Sequence, residues 1–258
     1  MFAKKSLGQH FLIAPLIITK TVSAGTVTHD DVVLEIGPGN GALTKELLLT
    51  AKKVVAVEKD RALVEKLEVV FKKEIENGSL ELIHDDILLC DFETLQLPAS
   101  YKVVANIPYY ITGILIRTLL TNKIKPKTIV LIVQKEIAER IARDKKESLL
   151  SLSVKAYGTP RYIGTIKAGA FNPPPKVDSA ILLIENISLG FFDTISEESF
   201  FTAIKAGFSS KRKQVINNLE KIENREKIVR VFEKLSLNQK IRAEDITLGV
   251  WKDILTTL

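Results

Sequence analysis

Short runs of β-branched and aliphatic residues alternate along this chain with longer stretches in which Leu, Val and Phe recur every three or four positions. The first pattern is that of a buried strand, the second that of a helix with one apolar face. Their alternation predicts an α/β fold with strands near residues 32–36, 53–57, 80–84, 102–105 and 128–133. Intervening stretches such as residues 42–49 and 62–71 are expected to be helices covering a mainly parallel sheet, so ligands should gather at the carboxyl ends of its strands. Two further apolar runs, residues 150–156 and 177–184, have little room for a crossover helix between them. They are expected as antiparallel neighbours that close one edge of a seven-stranded sheet. From Ser196 onward strand character stops. Helices are expected over residues 197–206, 211–219, 225–234 and 244–255, with residues 237–241 as a short link. The resulting organisation is a sheet domain over residues 1–185 and a small helical domain over residues 186–258.

Composition changes this picture little. At 258 residues the chain is long enough for one large and one small domain. Cys90 is the sole cysteine, which excludes an intrachain disulfide and a thiolate metal cluster and fits a reducing, cytoplasmic setting. No run approaches the roughly 18 apolar residues of a membrane span, so no membrane role is expected. His10, His29 and His84 lack ligand partners nearby in sequence, and no metal site is expected. Net charge is +6. Such an excess is compatible with nucleic acid, and its contiguous run Lys211-Arg212-Lys213, with Lys205, makes the tail a candidate for phosphate contact. A solvated helix face is the plainer reading of the same residues.

Candidate chemistry sits at the predicted strand ends. Asn106-Ile107-Pro108-Tyr109 closes the apolar run 101–105: the amide oxygen can accept from an amino group, Pro108 fixes φ, and Tyr109 offers a ring to a flat base. Gly37, Gly39 and Gly41 occupy a strand-to-helix turn where a ligand can approach the backbone, although their spacing departs from the dinucleotide pattern Gly-x-Gly-x-x-Gly. Glu58 ends the next strand, about 20 residues beyond Gly37, where a carboxylate can take two ribose hydroxyls. Asp85 and Asp86 follow the third strand; one can accept from an adenine amine while the other caps a turn.

Taken jointly, these segments resemble the small-subunit ribosomal RNA adenine dimethyltransferase family. The resemblance is carried by Leu7-Gly8-Gln9-His10-Phe11-Leu12, by Glu35 to Thr44, by Glu58, Asp86 and Asn106-Ile107-Pro108-Tyr109, and by Phe171-Asn172-Pro173-Pro174-Pro175 running on to Ala180. In the tail it is carried by Phe208 to Lys213, Asn217-Asn218-Leu219 and Arg242 to Ile246. It implies a Rossmann-like seven-stranded methyltransferase sheet, S-adenosylmethionine as donor with S-adenosylhomocysteine as product, and a monomer acting on small-subunit RNA in an immature ribosomal particle. Gln9, His10 and Leu12 would border the methionine part, Gly37 and Gly39 the glycine turn, Glu58 the ribose and Asp86 the adenine, with Asn106 between donor and target. His10, Ile107 and Lys211 depart from the residues common in relatives, and a lysine at 211 loses the bidentate fork of arginine.

The resemblance further implies that the Asn106 side-chain oxygen and the Pro108 carbonyl accept the two amine hydrogens, while Tyr109 and Phe171 face the flipped base from either side. For Phe171 a hydrophobic plug is the alternative. Two other functions fit parts of the pattern: a noncatalytic RNA-binding assembly or transcription factor on the same fold, and a large-subunit adenine-N6 methyltransferase. The set Glu58, Asp86, Asn106 and Tyr109 speaks against the first, since binding alone does not call for all four at strand ends. The segments 177–180 and 208–219 speak against the second.

Overall fold

The computed structural model describes residues 9–258. Residues 7 and 8, which begin the first of the motifs above, lie outside them. The strands are β1 (Phe11–Leu12), β2 (Val32–Ile36), β3 (Lys53–Glu58), β4 (Leu80–His84), β5 (Lys102–Asn106), β6 (Thr128–Gln134), β7 (Thr159–Ile166), β8 (Phe171–Asn172) and β9 (Ser179–Glu185). Seven form one sheet in the order β4-β3-β2-β5-β6-β9-β7. The pairs from β4 through β6 are parallel, and β9 runs antiparallel to β6. Its central strands are sealed on both faces, with Val33, Leu34, Val103, Val104, Ile129 and Val130 fully buried. That is why they read as unbroken apolar runs.

Two elements depart from the sequence expectation. Residues 150–156 were expected as a strand, but Leu149–Lys155 is a helix, started by a reciprocal capping box between Ser148 and Ser151. The seventh strand is β7, lying at the sheet edge beyond β9. Pro160 and Gly164 within it mark an edge position, where a missing backbone donor is tolerated. The expected helix at residues 211–219 is shorter, Val215–Leu219, because Gln214 has an extended backbone and residues 210–213 form a turn closed by the Lys213 amide on the Ser210 carbonyl.

The chain divides into two compact units, Met1–Ala138 with Pro160–Ile187, and Glu139–Thr159 with Ser188–Leu258. The first holds the sheet and a core that includes Val33, Leu47, Val104, Ile132 and Phe171. The second is helical. Its core joins Leu152 and Ala156 to Phe200, Ile204, Phe232 and Trp251, so the segment 139–159 packs here rather than with the sheet as the 185/186 boundary assumed. Asn218, buried within this unit, donates through Nδ2 to the carbonyls of Gly207 (2.6 Å) and Ser210 (3.1 Å) and so ties the end of helix Glu197–Gly207 to the basic turn that follows.

Candidate active site

A single cleft in the first unit gathers the carboxyl ends of β2, β3, β4 and β5, and its lining includes Gln9, His10, Leu12, Gly37, Gly39, Glu58, Asp86, Asn106, Pro108 and Tyr109. At the end of β2 the chain turns sharply through Gly37, Gly39 and Gly41, all at positive φ. A Cβ at Gly39 would meet the Phe11 ring at 3.1 Å, whereas one at Gly37 would meet nothing within 4 Å. The turn is therefore packed on one side and open on the other, leaving the backbone accessible.

Glu58 knits this turn to the next strand. Its Oε2 accepts from the Gly39 amide (3.1 Å) and its Oε1 from the Asp60 amide (2.8 Å). Burial raises its pKa, and the two backbone amides hold that rise back. Asp86 accepts from Lys59 Nζ at 2.7 Å and from the Leu88 amide at 3.1 Å. The Lys59 hydrogen bond is the main reason its carboxyl stays below the usual range. Below the glycine turn, Glu35 is 1 % exposed. Its Oε2 and the Thr44 hydroxyl are buried without a hydrogen-bond partner among the described residues. Burial pushes the Glu35 carboxyl up to about 8, with the charge of Glu58 adding to the rise.

On the opposite wall, Asn106 Nδ2 donates to the His10 carbonyl at 3.1 Å. Because that oxygen only accepts, the bond sets the amide orientation and leaves Oδ1 as an acceptor. Tyr109 is fixed by a 2.7 Å bond between its hydroxyl and that of Ser179 on β9. Burial raises the phenol pKa and the Ser179 bond partly offsets this. The His10 ring lies nearly parallel to Tyr109, 6.1 Å between centroids, and its Nδ1 donates to the Pro173 carbonyl at 2.8 Å.

Phe171 is not at this cleft, and its expected part as a wall against the base is corrected. Its side chain is 2 % exposed and belongs to the hydrophobic core. The backbone around it instead pairs β8 with β1, Leu12 opposite Phe171, and continues through the Ile13 amide to the Ala170 carbonyl. Residues 170–173 thus hold residues 10–13 by backbone pairing and the His10 hydrogen bond to the Pro173 carbonyl. Glu35, Lys59 and Tyr110 also line the cleft and were missed as site residues, although Glu35 begins a motif already singled out and Lys59 and Tyr110 directly follow two others. Cys90, its thiol raised to about 11 chiefly by burial, is not among the residues that line the cleft.

In the second unit Lys205 is exposed in the last turn of helix Glu197–Gly207, and Lys211, Arg212 and Lys213 are exposed in the turn before Val215. Lys146, from the segment that sequence reasoning gave to the sheet, pairs with Glu244 and stands 3.7 Å from Asp245. The charges of Arg242 and Lys211 also act on Glu244, so three segments of this unit, around residues 146, 211 and 242–245, converge in one charged cluster.

A sheet that is parallel from β4 through β6, with an antiparallel β9 between β6 and the edge strand β7, and with a glycine turn and acidic strand ends around one cleft, defines the class: a Rossmann-like methyltransferase fold. A family model described as ribosomal RNA adenine dimethylase matches residues 2–258, and the chain belongs to that family. It is 40 % identical over 256 residues to "Ribosomal RNA small subunit methyltransferase A" of Dehalococcoides mccartyi, covering 98 % of this chain and 87 % of the relative. It is also similar to the crystal structure of a dimethyladenosine transferase from Plasmodium falciparum, with TM-score 0.80, 29 % identity and coverage of 95 % and 96 %. The 23S rRNA methyltransferase ErmE shares the fold, with TM-score 0.75 at 22 % identity over 96 % and 99 % of the two chains.

Proposed function

We propose that this protein transfers methyl groups from S-adenosylmethionine to the N6 amines of two adjacent adenosines near the 3′ end of small-subunit ribosomal RNA, in the cytoplasm and during assembly of the particle. The observation that carries the reading is the Asn106 amide: the His10 carbonyl takes its NH2 group, so Oδ1 remains, in the cleft that Tyr109 also lines, as an acceptor with no competing partner among the described residues. The residues suit the donor. Gly37 is open to the cleft, Glu58 and Asp86 are acceptors for ribose hydroxyls and an adenine amine, and Gln9, His10, Leu12 and Gly39 border the remainder. When bound, the donor supplies an electrophilic methyl group on a sulfonium.

Asn106 Oδ1 and the Pro108 carbonyl accept the hydrogens of the target amine and turn its lone pair away from conjugation with the ring. They also stabilise the positive charge that grows on nitrogen, so no strong base is needed before attack. Tyr109, held by Ser179, stacks on the flipped base. Once the methyl is on nitrogen, the cationic amine gives up one proton to solvent and regains its lone pair with a single hydrogen left, so stacking takes more of the orientation in the second transfer. Lys205, Lys211, Arg212 and Lys213 contribute phosphate contacts to the RNA, and the protein acts as a monomer. The test is incubation with labelled donor and immature small-subunit and large-subunit particles, followed by nucleoside mapping. Label confined to neighbouring adenosines of the small-subunit RNA supports the reading, and label in large-subunit RNA favours the alternative substrate.

A further inference from the structure

The aromatic lining of the cleft continues past Tyr109. The 3-10 turn Tyr109–Ile111 runs directly into the helix Thr112–Thr121, so residues 110, 114 and 117 fall on one helical face. The opposite face, Leu115, Ile116, Leu119 and Leu120, is buried and anchors the helix. The first face is bare: Tyr110 lines the cleft yet is 66 % exposed, Ile114 is 54 % exposed, and Gly113 and Arg117 are exposed as well. A Cβ added at Gly113 would meet nothing within 4 Å. The Arg117 guanidinium has no ion pair or hydrogen bond among the described residues.

These features differ from those of Tyr109. That ring is held by Ser179, whereas the Tyr110 hydroxyl has no hydrogen-bond partner among the described residues and its ring is free to meet a planar group. Packing does not explain an exposed aromatic ring at the mouth of a cleft with a free arginine two turns further along. Recognition of a single strand does, because every base has a face that stacks on an aromatic ring and every linkage carries a phosphate.

We propose that the face formed by Tyr110, Gly113, Ile114 and Arg117 seats the RNA nucleotide adjacent to the one in the cleft. Tyr110 stacks on the neighbouring base, the bare backbone at Gly113 leaves room for its sugar and phosphate, and Arg117 pairs with a phosphate. This rests on the reading of the cleft as an RNA adenine site and deepens it. A chain that modifies two neighbouring adenosines must hold one while the other reacts, and this face provides the holding position.

The test uses the full chain and a short single-stranded RNA with two adjacent adenosines, carrying 2-aminopurine at the position flanking the target. Wild type and Tyr110→Phe are expected to quench the probe equally. Tyr110→Leu is expected to lose the quenching and to weaken RNA binding by about tenfold to a hundredfold, the range of one aromatic–base stack. Arg117→Gln should keep the quenching and lower the slope of log affinity against log salt by about 0.7, one phosphate on a single strand. Quenching retained by Tyr110→Leu, or an unchanged salt slope in Arg117→Gln, overturns the proposal while wild-type methylation of small-subunit particles stands. A wild type that forms no methyladenosine overturns the reading of the cleft itself, and the proposal with it.

Discussion

Asn106 is oriented by the His10 carbonyl, so Oδ1, the acceptor proposed for the target amine, is set before any substrate arrives. Asn106→Ala is therefore expected to lower the single-turnover methylation rate by about tenfold to a thousandfold. A near-normal rate on native particles would remove Asn106 from the chemistry. Glu58 has a double task, because its two oxygens hold the Gly39 and Asp60 amides as well as facing the cleft. Glu58→Ala should weaken donor binding by about 1.5–3 kcal/mol, the value of hydrogen bonds to a charged group. Glu58→Gln should fail to restore it, since an amide NH2 placed against either backbone N–H cannot accept. Calorimetric titration of S-adenosylmethionine checks both, and an unchanged affinity in either folded variant would contradict the role. Asn106, Tyr109, Glu58 and Asp86 were legible in the sequence because each polar or aromatic residue follows an apolar strand, and α/β folds place such ends together. Phe171 misled because a Pro-rich neighbourhood resembles a surface loop, whereas the pairing of β8 with β1 that buries the ring joins residues far apart in sequence.

At the scale of elements, β5 is pinned to the segment that leads into β2 by a charge pair that the sequence does not reveal. Lys102 Nζ reaches Asp31 Oδ2 at 2.9 Å and the Thr26 carbonyl at 2.8 Å, with the lysine side chain only 7 % exposed. Burial would raise the Asp31 pKa, but the bonds from Lys102 and Thr28 outweigh it and leave the carboxyl low. Asp31→Ala strands a buried ammonium and should cost about 3 kcal/mol of stability, read by urea unfolding; a loss within experimental error would show the pair to be unimportant. Glu35 works in the opposite sense. Its folded-state pKa of about 8 exceeds the ordinary value of 4.5, so the native chain keeps a proton that the unfolded chain gives up. Stability from this group is fully present below pH 4.5 and is lost as pH rises through 8. Thermal unfolding of the donor-free protein should show Glu35→Gln gaining on wild type between pH 5 and pH 8.5, and parallel curves would refute the assignment. The inner parallel strands β3, β2, β5 and β6 were readable because burial on both faces leaves a strong apolar signal, and the edge strand β4, only partly buried, was readable from Leu80, Leu82 and Ile83. Residues 149–155 were not, since Leu-Ser-Leu-Ser-Val alternates like a strand and the Ser148–Ser151 cap decides for a helix.

At the scale of the whole molecule, the second unit contains a basic surface wider than its sequence run suggests. Lys211 acts on Glu244 together with Arg242 and with Lys146, which comes from a segment far away in the chain. Neutralising Lys211, Arg212 and Lys213 together should weaken RNA binding and reduce its salt slope by up to about 2 to 3, as three phosphate contacts would require. An unchanged slope would assign the patch to something other than RNA. The division at residues 139–159 is not legible in the sequence, because Leu152 and Ala156 complete a core whose other buried members lie after residue 194 and meet them only in the folded chain. The central claim is that one cleft methylates two neighbouring adenosines twice each. Its most direct test is a mass-spectrometric time course on immature small-subunit particles with saturating enzyme and donor. N6-methyladenosine is expected first and then N6,N6-dimethyladenosine at two adjacent positions, and a product that stays monomethylated at saturation would contradict a dimethylating cleft.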